Sequence, residues 1–225
     1  MKFKKLTVVV APNGVDVPEK IPGRELLEKR FAGLKGKKWV VFMSRIHPKK
    51  GLLELARAWR EVRQSYPGWE LVIAGPEQDK GYAEKVRAEL KGEAVWTGEL
   101  GGEEKWAALG NAGFMVLPSY SENFGIVVAE SLAAGRPVIT TTGTPWKELK
   151  EWGAGWWVEP KQESITQAMG EALTKTDAEL DQMGARGRRE VESKFSWRAA
   201  AETIVDAYKE IGDRALRECE RECER

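Results

Sequence analysis

Short apolar runs recur along this chain at even intervals, each ending in a turn rich in glycine, serine or asparagine and each followed by a helical pattern. The run 38–43 (Lys-Trp-Val-Val-Phe-Met) is apolar without alternation, as a strand covered on both faces must be. Beyond the turn 44–51 comes an amphipathic helix with Leu52, Leu55, Ala56, Trp59 and Val62 on one side. The cycle repeats, with strands expected over 69–74, 94–97, 114–117 and 138–142, and helices over 81–90, 103–109 and from Ile126 onward. A last strand over 155–158 precedes a helix over 165–173. A strand over 6–10 and a helix over 24–34 are expected before the first cycle, and helices over 178–192 and 197–211 after the last. Strands alternating with helices at this spacing specify an α/β fold, a single doubly wound, Rossmann-like parallel sheet with helices on both faces. In such a sheet ligands sit beyond the C-terminal ends of the strands. The turns at Arg45, Gly75, Gly98, Ser119 and Gly143 all fall there, so five loops converge on one edge.

The domain is expected over 1–211, with 212–225 as a charged, frayed tail in which Arg-Glu-Cys-Glu occurs twice. The tail holds both cysteines, Cys219 and Cys223. One helical turn apart, they are half a metal site or a link between chains at most, and a solvated extension is favoured because two thiols alone rarely bind zinc. No disulfide framework is expected. Thirty-six basic and 35 acidic residues leave a net charge of +1, so no field recommends nucleic acid or an acidic membrane as partner. No apolar run approaches a membrane span, and the basic start has too short an apolar region for a signal peptide. The expectation is a cytoplasmic protein without a transmembrane segment.

The stretch 118–137 concentrates the chemistry. A strand runs into Pro118-Ser119-Tyr120-Ser121-Glu122-Asn123-Phe124-Gly125. The turn then enters a helix apolar nearly all round (Ile126, Val127, Val128, Ala129, Leu132, Ala133), the pattern of an interior helix. Yet this helix carries Glu130, and Glu122 sits just ahead of its first turn. A carboxylate among apolar neighbours needs a partner to stay ionised. A helix start after a strand also offers free N–H groups and a positive dipole end to an anion. The stretch proposes a phosphate at the helix start and hydroxyls at the two glutamates. The plain alternative for Glu130 is an ion pair with Arg136. Arg45 and Lys50 share one strand-to-helix loop and combine a planar fork with a point charge, a pair suited to a diphosphate. Gly125 allows close backbone approach. Asn13-Gly14 is a turn signal, with Gly14 expected at positive φ. His47, the only histidine, falls in the Arg45 loop and is taken as an edge residue rather than a catalyst. Thr140–Thr144 is expected to frame the pocket beside Glu122. An acid/nucleophile pair for glycoside hydrolysis is set aside, because Glu122 lies in a turn and Glu130 in a buried helix.

Taken whole, Pro-Ser-x-x-Glu-Asn-Phe-Gly-x-x-x-x-Glu-x-x-x-x-Gly-x-Pro-Val over 118–138 resembles the hallmark of the retaining glycosyltransferases of family 4 (group 1), which have the GT-B fold. Pro-Asn-Gly-Val-Asp (12–16) resembles the lead into that family's C-terminal domain, and Ser-Arg-Ile-His-Pro-Lys-Lys-Gly (44–51) its Gly-Arg-x-x-x-x-Lys-Gly loop. Ile-Ala-Gly-Pro (73–76), Val-Trp-Thr-Gly (95–98), Gly-Ala-Gly-Trp-Trp-Val-Glu-Pro (153–160) and Phe-Ser-Trp (195–197) follow in the family's order. The resemblance implies that Arg45 and Lys50 neutralise a nucleoside diphosphate leaving group and that Glu130 holds ribose hydroxyls. It implies that Glu122, with Asn123, Phe124, Gly125 and Ile126, contacts donor sugar and phosphates, with Gly14 and Gly75 also at the donor. Arg45, Lys50 and Glu122 would be the catalytic residues. No metal and no cofactor beyond the nucleotide-sugar substrate is implied. The loops resemble those of enzymes that build bacterial cell-surface polysaccharides.

A GT-B enzyme faces two such domains across a cleft, and this chain begins where the acceptor-binding one ordinarily ends. The expectation is the donor-binding half, completed by an acceptor domain in another chain or by self-association, and inactive alone. The alternatives are a non-catalytic nucleotide-sugar binding module or subunit and, less supported, a fragment of a GT-B-fold nucleotide-sugar epimerase.

Overall fold

The computed structural model describes residues 9–223, with side chains described as far as Asp213. Six strands form one sheet: β1 (Lys38–Met43), β2 (Trp69–Ala74), β3 (Val95–Gly98), β4 (Phe114–Leu117), β5 (Val138–Thr141) and β6 (Gly155–Val158). Every pairing is parallel and the order is β3-β2-β1-β4-β5-β6. The unbroken apolar runs lie at the centre, where both faces are covered. Val40, Val41, Phe42, Leu71, Val72, Phe114, Met115 and Val116 are all shut off from solvent. Each such side chain contributes roughly 1.5–3 kcal/mol on burial.

The helices are α1 (Glu25–Glu28), α2 (Leu52–Val62), α3 (Lys80–Leu90), α4 (Gly102–Gly110), α5 (Ile126–Ala133), α6 (Gln162–Leu173), α7 (Asp177–Lys194) and α8 (Trp197–Cys223). They pack in two sets, α2 with α3 and α6, and α5 with α4 and α7, as a sheet wound in both directions requires. Strand order reverses between β1 and β4. The loops after those two strands therefore diverge to opposite faces and leave a crevice between them.

Three expectations at the chain's flanks change. The helix expected over 24–34 is a single turn, Glu25–Glu28, followed by a 3₁₀ turn at Ala32–Leu34. Phe31 between them is extended (φ −127°), and Gly33 and Gly36 weaken any continuous helix there. Leu27 and Leu34 are both fully buried and anchor the two short turns to the core. Most of the strand expected over 6–10 lies outside the described residues, and Val9 and Val10 are in no strand. Gly14 is not among the glycines with positive φ. It is small for another reason: a Cβ there would come within 2.4 Å of the Trp197 ring. Beside it the Val15 N–H donates to the Phe195 carbonyl at 2.8 Å, and Val15 bridges Ser196. α8 starts at the expected cap, where the Ala199 N–H donates to Ser196 Oγ at 3.2 Å. It continues past 211 to Cys223; the side chains of Cys219 and Cys223 lie outside the described residues.

Candidate functional site

The loop after β1 is built to present Lys50. His47 Nδ1 accepts the Lys49 N–H at 3.1 Å and starts the short 3₁₀ turn Pro48–Lys50. Lys50 is only 9% exposed, an unusual state for a lysine without a partner. Its Nζ donates to Glu122 Oε1, and Ser119 Oγ reaches the same oxygen at 2.7 Å. Arg45 is exposed, and Nη1 donates to the neutral Gln78 Oε1 at 2.9 Å. Of the two cations expected to share an anion, one is matched to a carboxylate and the other has no carboxylate partner among the described residues. Gly75 holds the neighbouring loop close: a Cβ there would stand 1.9 Å from the Ser44 carbonyl oxygen.

The loop after β4 is stitched to both neighbours. The Tyr120 N–H donates to the Lys49 carbonyl at 2.9 Å and the Glu122 N–H to the Gly143 carbonyl at 2.8 Å. Thr141 Oγ1 donates to the Ser119 carbonyl, and Thr140 Oγ1 to the Leu117 carbonyl at 2.8 Å. Thr140, Thr141 and Thr144 are buried. They brace the Glu122 loop from beneath rather than framing an open pocket. Trp146, 1% exposed, donates its indole N–H to the Phe124 carbonyl and packs on the Phe124 ring at 5.2 Å.

Gly125 then takes φ 79°, ψ 60° and turns the chain into α5. That left-handed step is open to glycine at no steric cost. No side chain caps α5, so its first amides keep donors for an anion. The start of α2 differs. There the Leu53 N–H donates to the half-buried Tyr82 hydroxyl at 2.9 Å, and burial pushes that phenol up to about 12. Of these two helix starts at the crevice, one is stoppered by a phenol and one is open. α5 is also less uniformly interior than its composition suggests, since Ile126 is 50% exposed at its mouth.

Glu130, one turn into α5, is paired, but not with Arg136. Lys105 on α4 donates to Glu130 Oε1 at 2.7 Å. Arg136 instead donates to the Gly110 carbonyl at 2.7 Å and to Asp181 Oδ1 at 2.6 Å. Sequence reasoning had missed Lys105; only the packing of α4 on α5 brings it to the site.

Two cavities meet here. One, about 540 Å³, is lined by Asn13, Arg45, His47, Lys49, Lys50, Gln78 and the run Ser121–Ile126. The other, about 590 Å³, reaches from Ser44, Gly75 and Pro76 past Glu99 and Leu100 to Lys105 and Glu130. Arg45, Lys50, Glu122, Gly125 and Ile126 line both. Asn123 and Phe124 belong to the first alone, Gly75 and Glu130 to the second. Gly14, beneath Trp197, lines neither.

Parallel sheet, crevice and cationic wall define an α/β Rossmann-like domain of the GT-B kind. The model of the glycosyl transferases group 1 family matches residues 24–190, and the chain belongs to that family. It is 30% identical to a D-inositol 3-phosphate glycosyltransferase of Segniliparus rotundus over 89% of its own length and 46% of the relative's. It is 30% identical to an uncharacterized glycosyltransferase of Methanocaldococcus jannaschii over 76% of its length and 45% of the relative's. The chain thus spans about half the length of the curated relatives it matches. Among solved structures, the sucrose-phosphate synthase of Thermosynechococcus elongatus superposes with a TM-score of 0.74 at 23% identity, over 90% of this chain and 52% of that one. The C-terminal domain of a group 1 glycosyl transferase from Francisella tularensis gives 0.69 at 22% identity, over 82% of this chain and all of that one. No helix among the described residues is long and apolar enough to cross a membrane.

Proposed function

We propose that this domain is the donor-binding half of a retaining glycosyltransferase and that its ligand is a nucleoside diphosphate sugar. One observation carries the proposal: the two cavities share a wall made of Arg45, Lys50, Glu122 and the open start of α5. A ligand with an anionic middle and a hydroxyl-bearing group at each end fits two lobes joined at a cationic wall. The diphosphate lies against Arg45, Lys50 and the α5 amides. The nucleoside fills the lobe with Gly75, Lys105 and Glu130, where the carboxylate accepts from ribose hydroxyls. The sugar fills the lobe with Asn123 and Phe124, next to Glu122. A protein of the same fold from Anabaena, 17% identical over 88% of this chain, was solved with UDP and glucose.

In transfer, the bond from the anomeric carbon to the terminal phosphate oxygen breaks and negative charge gathers on that oxygen. Arg45, Lys50 and the amides are aimed at the charge before it forms, which is where electrostatic catalysis is strongest. In the free domain Lys50 is held by Glu122, so the incoming phosphate takes over Lys50 and frees Glu122 for the sugar. No divalent metal is assigned a part. Retention follows when the acceptor hydroxyl attacks on the departing side and gives its proton to the phosphate oxygen. A second domain, in this protein or a partner, holds the acceptor. We place the activity in cytoplasmic polysaccharide biosynthesis, on the likeness of the loops.

Calorimetric titration with UDP-, GDP- and ADP-sugars tests the donor site. One series is expected to bind with Kd below about 1 mM, the usual ceiling for such substrates. A folded chain that binds none of them overturns the proposal. The domain alone is expected to turn over no sugar, and robust transfer to a simple acceptor would show that it carries its own acceptor site.

A further inference from the structure

The far edge of the sheet carries a second set of sugar-compatible features. Among the described residues β6 pairs only with β5, and its consecutive residues Trp156 and Trp157 are half-buried. Along that edge, between β6 and α6, lies a cavity of about 350 Å³, at the small end of ligand sites. It shares no lining residue with the two cavities at Arg45.

The indoles are already fixed. Trp156 Nε1 donates to Glu171 Oε2 at 2.8 Å, and Trp157 Nε1 to the Thr144 carbonyl at 3.0 Å. Their one polar atom is therefore used inside the fold. Successive strand residues point to opposite faces, so the Trp156 ring, tied to α6 through Glu171, stands on the α6 side of β6 and offers carbon, while Trp157 turns its ring to the other face. Around them stand Lys150, Glu159, Ser164 and Gln167. Among the described residues the first three side chains have no hydrogen-bond or ion-pair partner. The Val158 carbonyl accepts from the Thr142 N–H, so by the alternation of a parallel ladder the Trp157 N–H and C=O point to the unpaired side. Carbon faces beside uncommitted donors and acceptors match a pyranose ring, which has a C–H face and a hydroxyl rim. Lys150 against Glu159 and Glu171 leaves the lining with a single net negative charge, which disfavours an anionic ligand.

We propose that this cavity binds one or two rings of a neutral oligosaccharide, apart from the Arg45–Lys50 site. A peptide strand added to β6 is the competing occupant, but a four-residue edge ending before Pro160 offers too short a ladder to hold one.

The test uses the ¹⁵N-labelled chain and the indole N–H signals of its ten tryptophans, with Trp156 and Trp157 assigned from Trp156→Phe and Trp157→Phe. Maltotriose, cellotriose and mannotriose are titrated, each with and without saturating UDP. At least one is expected to shift the Trp156 and Trp157 signals alone, with Kd of about 1 mM. The exposed-rim variants Lys150→Ala and Glu159→Gln should raise that Kd at least about fivefold and leave nucleotide affinity unchanged. Because the two sites share no residue, loss of nucleotide binding leaves this expectation standing. Absence of shifts with all three trisaccharides overturns the proposal, as do shifts unaltered by both rim variants. Shifts produced only by an extended hexapeptide overturn it in favour of strand addition.

Discussion

Lys105 on α4 and Glu130 on α5 form a salt bridge at 2.7 Å with both side chains mostly buried, 24% and 17% exposed. They line the lobe assigned to the nucleoside. The lysine takes one carboxylate oxygen and leaves the other for a hydroxyl, so the two residues should act as a unit. Lys105→Met and Glu130→Gln are each expected to weaken nucleoside diphosphate binding about tenfold, and the double variant little more. Inorganic diphosphate, which has no ribose, should bind within about twofold of the unaltered chain in all three. Equal losses for both ligands would remove Glu130 from the ribose.

Lys50 and Glu122 separate stability from binding. Lys50→Met leaves a nearly buried carboxylate with only the Ser119 hydroxyl, at a cost of about 1–3 kcal/mol. Adding Glu122→Gln removes the stranded charge. Thermal unfolding should therefore show most of the lost melting temperature restored in the double variant, while calorimetry shows diphosphate affinity still reduced. Recovery of affinity along with stability would exclude Lys50 from the anion site.

Gly75 and Gly36 both have positive φ, 139° and 71°, but only Gly75 is crowded. A Cβ at Gly36 meets nothing within 4 Å, whereas at Gly75 it would lie 1.9 Å from the Ser44 carbonyl oxygen. Gly36→Ala should cost about 1–2 kcal/mol, the strain of the left-handed region. Gly75→Ala should cost more, and it should weaken nucleotide binding because the Ser44–Arg45 backbone must move. Matched denaturation curves, followed by titration, check both outcomes.

Glu70 on β2 has its carboxyl raised above the usual range by burial, with Arg63 and Lys37 opposing the rise. A carboxyl raised on folding binds its proton more tightly in the native state. Stability is then lost as pH climbs from the ordinary carboxylate value through the raised one, and the penalty is complete at neutrality. Glu70→Gln should raise the melting temperature by about 1–3 °C at pH 7 and by almost nothing near pH 4. Calorimetric scans across that interval test the sign.

What the sequence disclosed follows from which forces are local. The central strands read directly because burial on both faces forces unbroken apolar runs at 38–43, 69–74 and 114–117. Arg45, Lys50, Glu122 and Glu130 could be grouped because each follows a strand end and parallel topology brings strand ends together. Their partners could not be read that way. Arg136 is near Glu130 in sequence, yet its guanidinium reaches back to Gly110 and Asp181, and Lys105 arrives from another helix. Trp146 likewise carried no motif, although its indole N–H holds the Phe124 carbonyl just before the left-handed step at Gly125. The helix expected over 24–34 breaks at Phe31, whose extended backbone separates the turn Glu25–Glu28 from the 3₁₀ turn Ala32–Leu34.

The strand order has a consequence for assembly. β1, β2 and β3 are consecutive in the chain and adjacent in the sheet, and so are β4, β5 and β6. Each trio joins strands that are neighbours in the chain, while the Val40–Phe114 seam joins distant segments and carries the larger loop-closure cost. The wall shared by the two cavities straddles that seam, with Arg45 and Lys50 on one trio and Glu122 and Gly125 on the other. A half-folded chain therefore has only half of that wall. On the proposed reading, a bound diphosphate would touch both trios and so fasten the two halves of the sheet.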